Sequence, residues 1–96
     1  MLRNEKERES LYAELFDKYG IKLQEDMFVE EVGELLASLN QFRRGKATKE
    51  DVVSEIADVL NCIEQMRYIF GKDAVDSQRE IKLKRTERKL FGDNNE

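Results

Sequence analysis

Residues 28–36 read FVEEVGELL and residues 52–60 read VVSEIADVL. When the first segment is shifted by 24 residues onto the second, Glu31 coincides with Glu55 and Glu34 with Asp58. In both segments apolar residues recur at intervals of three and four, which is the period of an amphipathic α-helix. The two segments therefore predict two helices that carry matching acidic pairs beside matching apolar stripes.

Glycines divide the rest of the chain into segments of helical length. They stand at positions 20, 45, 71 and 92, each after an apolar or basic run of helical period, where a glycine cap commonly ends a helix. We predict four helices, which span roughly residues 5–19, 22–43, 49–70 and 73–91.

A short connection joins the second and third predicted helices. Thr48 precedes Asp51 by three residues, a variant of the capping box that starts a helix. Helices joined by so short a connection are antiparallel neighbours. We expect an all-α, antiparallel four-helix, bundle-like protomer that is completed by oligomerisation, with an apolar face at Met27, Cys62 and Ile69 available to a second chain.

Composition narrows the class of protein. A chain of 96 residues has a common size for a single core, so we treat residues 1–96 as one domain whose ends, 1–8 and 92–96, fray. The net charge of -4 argues against a general nucleic-acid binder. A charged N-terminal segment and the lack of a long apolar run argue against export or membrane insertion, so we expect a soluble cytoplasmic protein. The lone Cys62 is expected to pack in the core.

The acidic pairs lie beside the apolar stripes. At 100° per residue, Glu31 and Glu34 fall about 80° and 140° from the centre of their stripe, and Glu55 and Asp58 take the same offsets. Four converging carboxylates repel one another unless a hard dication neutralises them. The chain has no histidine, so its ligands are oxygens, which favour Mg²⁺ with Mn²⁺ as the alternative.

A simpler interpretation exists for each acidic pair, because an E-x-x-E pattern on a charged helix is usually a solvated face. Two pairs in phase on adjacent helices make a metal site as good an interpretation as a solvated face. Gly33 lies between Glu31 and Glu34, where glycine costs about 1 kcal/mol relative to alanine. A close backbone approach or room for a ligand would explain it.

The motifs Glu30-Glu31-x-x-Glu34 and Glu55-x-x-Asp58 resemble the E-E-x-x-E and E-x-x-D motifs of the MazG-like, all-α nucleoside triphosphate pyrophosphatases. The resemblance covers the chain from about residue 19 to residue 88. Within the family, the chain is most similar in pattern to the short members from bacteria and phages. It implies Mg²⁺-dependent hydrolysis of a nucleoside triphosphate between its α and β phosphates, for nucleotide pool cleaning. Family members assemble as dimers or tetramers.

The resemblance also implies roles for individual residues. The metal ligands would be Glu31, Glu34, Glu55 and Asp58. Glu34 and Glu55 are the candidate catalytic carboxylates, and we favour Glu34 as the group that orients or deprotonates water. Lys82 and Arg85 would neutralise the triphosphate, although basic residues on a polar helix are more often a solvated face. Gln24 would contact the base or sugar, with an exposed surface glutamine as the alternative.

Two other functions remain open at this point. One is a helical interaction module without catalysis. The other is an RNA or DNA binder that uses the basic fourth helix, which the acidic total disfavours. Tyr12 and Tyr19 could stack on a nucleobase, but aromatic core positions are more common.

Overall fold

The computed structural model describes residues 1–92 and consists of α-helices, with no strand in that range. The helices are α1 (Glu5–Tyr19), α2 (Ile21–Arg43), α3 (Lys49–Phe70) and α4 (Lys72–Phe91). The predicted all-α class is confirmed, and each predicted helix end agrees within one residue. The last residues of the tail expected to fray, Asp93 to Glu96, lie outside the described residues.

Local hydrogen bonds explain where two of the helices begin. At α3, the Thr48 backbone N–H donates to Asp51 Oδ2 over 2.9 Å and the Asp51 N–H donates to Thr48 Oγ1 over 3.2 Å. This is the predicted capping box. A second capping box joins Asn4 and Glu7 at α1. Residues 5–8, which the charge pattern suggested would fray, are helical because this cap satisfies the first backbone N–H groups.

The chain divides into two compact units, Met1–Met66 and Arg67–Glu96. In the second unit, Arg67 donates from Nε and Nη2 to the two carboxylate oxygens of Asp76 over 2.8 and 2.6 Å. This bidentate pair lowers the pKa of Asp76. The pair joins the last turn of α3 to the second turn of α4.

The first unit has a small buried core. Tyr12, Val59 and Cys62 are its buried hydrophobic residues, and Cys62 packs there as predicted. The Tyr12 hydroxyl donates to Glu64 Oε1 over 2.7 Å, and Arg8 donates to both oxygens of the same carboxylate over 2.6 and 3.1 Å. These contacts attach α1 to α3 and assign Tyr12 to the core rather than to base stacking.

Much of each predicted apolar stripe is exposed in the single chain. Leu36 keeps 63% of its surface exposed and Leu60 keeps 59%. Helical periodicity identifies which face of a helix is apolar but not which element covers that face. None of the helices in residues 1–92 has an apolar segment long enough to cross a bilayer.

Candidate metal centre

Three of the four predicted metal ligands converge in the first unit. One carboxylate oxygen from each of Glu31, Glu34 and Glu55 lies within 4.8 Å of the other two. Glu31 and Glu34 come from neighbouring turns of α2, and Glu55 comes from the second turn of α3. We call these three residues the carboxylate cluster.

The cluster joins acidic residues of two helices that follow one another in the chain. The charges of Asp58 and Glu55 on α3 act on Glu31 of α2, and the charge of Glu34 on α2 acts on Glu55. Five residues connect α2 to α3, and helices joined by so short a connection are antiparallel neighbours.

Part of the cluster is shielded from water. Glu31 and Glu55 are half-buried, at the edge of the apolar stripe where helical phase placed them. Their Oε2 atoms are buried, and no group in residues 1–92 donates a hydrogen bond to either atom. Buried carboxylate oxygens normally have a hydrogen-bond donor or a cation as partner. These two oxygens are therefore available as ligands.

The electrostatics of the cluster favour a positive ligand. Burial, followed by the negative charges of Glu34, Asp58 and Glu55, raises the pKa of Glu31. Burial and the charges of Glu34 and Asp58 likewise raise the pKa of Glu55. Both shifts mean that the folded chain resists holding these groups ionised together. A cation or a proton would relieve this repulsion.

Asp58 stands slightly apart from the other three acids. Asp58 is not one of the three residues of the carboxylate cluster, whose oxygens lie within 4.8 Å of one another. Its negative charge is nevertheless near enough to raise the pKa of both Glu31 and Glu55. Asp58 is exposed and lines the adjacent pocket. Glu30, which helical phase directs away from the core, is exposed and is not part of the cluster.

The donor set fits a hard divalent cation. It consists only of carboxylate oxygens, as Mg²⁺ and Mn²⁺ prefer, and two of those oxygens lack any other partner in the described chain. Glu34 is exposed, which leaves one side of the cluster open to water or a phosphate. Such partial coordination by protein is typical of Mg²⁺ sites that also bind substrate phosphates.

A pocket of about 420 Å³ adjoins the cluster and includes Glu31 and Asp58 in its wall. Gln24 also lines it and is only 5% exposed, which excludes the exposed surface glutamine considered above. Tyr19 and Asn61 lie in the same wall. Burial, with the charges of Glu31 and Asp58, raises the pKa of the Cys62 thiol, so this cysteine stays protonated and is a poor nucleophile.

Gln65 is a pocket residue that the sequence analysis did not single out. It is 7% exposed and lines the same pocket as Gln24. It follows Asp58 by seven residues, as Gln24 precedes Glu31 by seven. Seven residues are two helical turns, so this spacing was the available signal that the glutamines share a face with the acids.

The predicted phosphate-binding residues belong to the other unit. Lys82 and Arg85 are both exposed on α4, and the Lys82 carbonyl accepts a hydrogen bond from Thr86 Oγ1. Their role toward a triphosphate remains a prediction.

Comparison with models of protein families gave no match, and comparisons with curated proteins and with solved structures gave none either. The motifs and the carboxylate cluster are accordingly the basis for the functional proposal that follows.

Proposed function

We propose that this protein is a Mg²⁺-dependent nucleoside triphosphate pyrophosphohydrolase, which converts a nucleoside triphosphate to the monophosphate and pyrophosphate. The observation that carries the proposal is the carboxylate cluster of Glu31, Glu34 and Glu55, with two buried oxygens that have no donor in residues 1–92. The resemblance of its motifs to those of MazG-like pyrophosphatases supplies the reaction type. We further propose a cytoplasmic role in nucleotide pool cleaning.

Each acidic residue has a proposed part in the reaction. Glu31, Glu34, Glu55 and Asp58 would hold the cation, and the half-buried Glu31 and Glu55 are best placed to do so because their oxygens lack competing donors. When bound, the cation would polarise the phosphate oxygens and neutralise their charge. Glu34 is exposed and offers an oxygen to a water molecule at the open side of the cluster.

The reaction itself adds one water molecule across the α–β phosphoanhydride bond. We propose that Glu34 orients this water and accepts its proton, with Glu55 supporting the charge distribution within the cluster. A carboxylate can serve as the base in a chain without histidine, because a bound cation would lower the pKa of the attacking water. Lys82 and Arg85 are proposed to neutralise the triphosphate.

A second copy of the chain is the proposed partner, in a homodimer or homotetramer. The apolar residues Val29, Leu36, Val53 and Leu60 keep between 53% and 70% of their surfaces exposed. Apolar helix faces of this kind are normally buried against another element. The same exposure favours the alternative function, a non-catalytic helical interaction module.

The function is tested by incubating the full chain with a panel of ribo- and deoxyribonucleoside triphosphates and Mg²⁺ while measuring pyrophosphate. We expect release from at least one substrate and at least a hundredfold slower release by Glu55→Gln, since electrostatic contributions of this kind commonly reach that size. Glu30→Gln is the matched control, because Glu30 is exposed and outside the cluster. No release from any triphosphate, or equal release by Glu55→Gln, would favour the interaction module.

A further inference from the structure

The fourth helix differs from the rest of the chain in its charge and exposure. None of the residues of α4, Lys72–Phe91, is buried. The helix carries seven lysine and arginine residues against four aspartate and glutamate residues, although the whole chain has a net charge of -4. Charges more than about 10 Å apart are largely screened at 0.1 M salt, so the local charge of a helix decides what it attracts at close range. α4 is therefore a basic surface on an acidic protein.

The charged side chains of α4 are sorted onto different sides of the helix. At about 100° per residue, its four acids fall within a sector of about 60°. These acids are Asp73, Asp76, Glu80 and Glu87. A separate sector of about 160° has no acid and carries five basic residues. We call this sector the basic face, and its cations are Lys82, Lys84, Arg85, Arg88 and Lys89.

Contacts within the second unit leave the basic face uncovered. Asp76 accepts two hydrogen bonds from Arg67, so the acidic side of α4 is the side that meets the end of α3. All five cations of the basic face are exposed, and no carboxylate of residues 1–92 forms an ion pair with any of them. Their charges are therefore available to an anionic partner.

The outer cations of the basic face form two rows along the helix. Lys84 and Arg88 form one row, and Lys82 and Lys89 form the other, about 130° around the helix axis. The major groove of B-form DNA admits an α-helix and has a phosphate strand along each side. A helix with one row of cations toward each strand can contact both strands at once. The two rows thus match the charge pattern of a duplex groove.

The residues between the two rows are suited to the edges of bases. Gln78 and Arg85 lie there, and these residue types form bidentate hydrogen bonds with adenine and guanine, respectively. Ala74 and Ile81 lie in the same strip, and apolar side chains of this kind contact the methyl group of thymine. The centre of the basic face therefore carries groups that a DNA groove can use and a bare anionic surface cannot.

Two other anionic partners fit the basic face less well. A membrane-surface helix needs an apolar side that enters the lipid, but the apolar Leu83 and Leu90 lie beside the acids of α4, which anionic lipids repel. An RNA duplex presents the same phosphates, but its major groove is too deep and narrow for side chains to read. B-form DNA is the partner that both the cations and the strip between them fit.

We propose that the basic face of α4 binds duplex DNA, with the helix in the major groove. The two rows of cations contact the phosphates of the two strands, and Gln78 and Arg85 contact base edges. This local binding replaces the expectation drawn from the net charge of the whole chain, and it is independent of the proposed hydrolysis. Because Lys82 and Arg85 also have proposed triphosphate contacts, the variants below are made at other positions.

The first test measures binding of the full chain to a fluorescent DNA duplex of mixed sequence by anisotropy, in EDTA. At 50 mM salt we expect a dissociation constant of about 10⁻⁴ M or lower. Four phosphate contacts predict binding about 150-fold weaker at 200 mM than at 50 mM salt. The RNA duplex of the same sequence should bind more weakly by about fivefold or more.

Three results would overturn the proposal. One is no binding of the DNA duplex at the lower salt concentration. Another is equal binding of the RNA duplex, which would show that phosphates alone are recognised. The third is binding of polyglutamate or of phosphatidylserine vesicles as tight as that of DNA, which would assign the basic face to an acidic protein or to a membrane.

The second test compares variants with the same loss of charge. Lys84→Gln and Arg88→Gln each remove one phosphate contact, and each should weaken DNA binding about tenfold at 50 mM salt. Arg79→Gln is the matched control, because Arg79 lies on the same helix outside the basic face and 3.8 Å from Asp76. Glutamine is a good helix former, so α4 should persist in all three. Equal weakening by Arg79→Gln would show that net charge, not the basic face, attracts DNA.

Pyrophosphate release separates the two proposals. Lys84 and Arg88 have no part in the proposed hydrolysis, so both variants should release pyrophosphate at the wild-type rate. If DNA binds through these two residues but no triphosphate is hydrolysed, the proposed function fails and the DNA site stands. If triphosphates are hydrolysed but DNA is not bound, the DNA site fails and the proposed function stands.

Discussion

The phenolic oxygen of Tyr12 lies 2.7 Å from Glu64 Oε1, and this hydrogen bond attaches α1 to α3 next to Gln65. Tyr12 is 5% exposed, and Glu64 also accepts two hydrogen bonds from Arg8. The position of the α1 side of the pocket therefore depends on a buried hydroxyl and a charged acceptor.

Replacing Tyr12 with phenylalanine should destabilise the fold without removing the buried ring. We expect a loss of about 1–2 kcal/mol in the free energy of unfolding, because the hydrogen bond has an ionised acceptor. Urea titration at neutral pH measures the change. Tyr19→Phe is the control, since the Tyr19 side chain is exposed, and it should change stability by less than about 0.5 kcal/mol.

The same hydroxyl predicts an alkaline dependence of stability. Burial and then the hydrogen bond to Glu64 raise the pKa of Tyr12. Because the unfolded tyrosine ionises near pH 10, its contribution to stability is complete below that pH and is lost as the pH rises further. The free energy of unfolding of the wild-type chain should therefore fall more steeply above about pH 10 than that of Tyr12→Phe. Parallel curves for the two proteins would show that Tyr12 ionises equally in both states.

Neutralising one cluster carboxylate should have opposite effects with and without metal. In EDTA, Glu31→Gln should raise the melting temperature, because the raised pKa of Glu31 shows that its charge opposes folding. With Mg²⁺ at ten times its dissociation constant, the wild-type chain should gain about 1.4 kcal/mol and the variant should gain less. Thermal unfolding in both conditions measures this, with Glu30→Gln as the exposed control. A variant that is less stable in EDTA and responds equally to Mg²⁺ would contradict the metal site.

Gly33 should tolerate a larger side chain in the isolated fold. A Cβ built at this position has no neighbouring atom within 4 Å, so the close backbone approach considered above is not present in the described chain. We expect Gly33→Ala to stabilise α2 by about 1 kcal/mol. Gly45→Ala is the matched control and should destabilise by about 1–2 kcal/mol, because Gly45 has φ of +74°. Loss of stability in Gly33→Ala would indicate that a second chain packs against this position.

Association through the exposed apolar face predicts a particle larger than one chain. Light scattering should return two or four times the 11.3 kDa mass. Leu60→Lys places a charge in this face and should lower the mass toward that of one chain. Leu83→Lys is the control, because Leu83 on α4 is also 59% exposed but belongs to the other unit. A wild-type monomer at working concentration would contradict the proposed oligomer.

Local signals account for what the sequence predicted well. Glycine positions and the Thr48–Asp51 capping box specified the helices, because helix ends depend on neighbouring residues. Helical phase similarly identified Glu31 and Glu55 as residues at the edge of the apolar stripe. Both kinds of information are contained within a few turns of one helix.

Contacts between helices account for what the sequence did not predict. The burial of Gln65 and the exposure of Leu60 both depend on which element packs against α3. Helical periodicity shows which residues share a face of a helix, but not which other element packs against that face. A glutamine that is buried by such an element therefore cannot be distinguished in the sequence from one exposed to solvent. The slight displacement of Asp58 from the carboxylate cluster likewise depends on the distance and rotation between α2 and α3.

The connection between Arg43 and Lys49 has a consequence for how the molecule folds. Five residues connect α2 to α3, and Glu34 and Glu55 are 21 positions apart, so the α2–α3 hairpin forms through contacts that are close in the chain. Its formation brings like charges together before any cation arrives. We expect this repulsion to oppose the closing of the hairpin, and a proton or a cation at the cluster to speed it. The residues proposed for hydrolysis would thereby also make the folding rate of the protein sensitive to the ions around it.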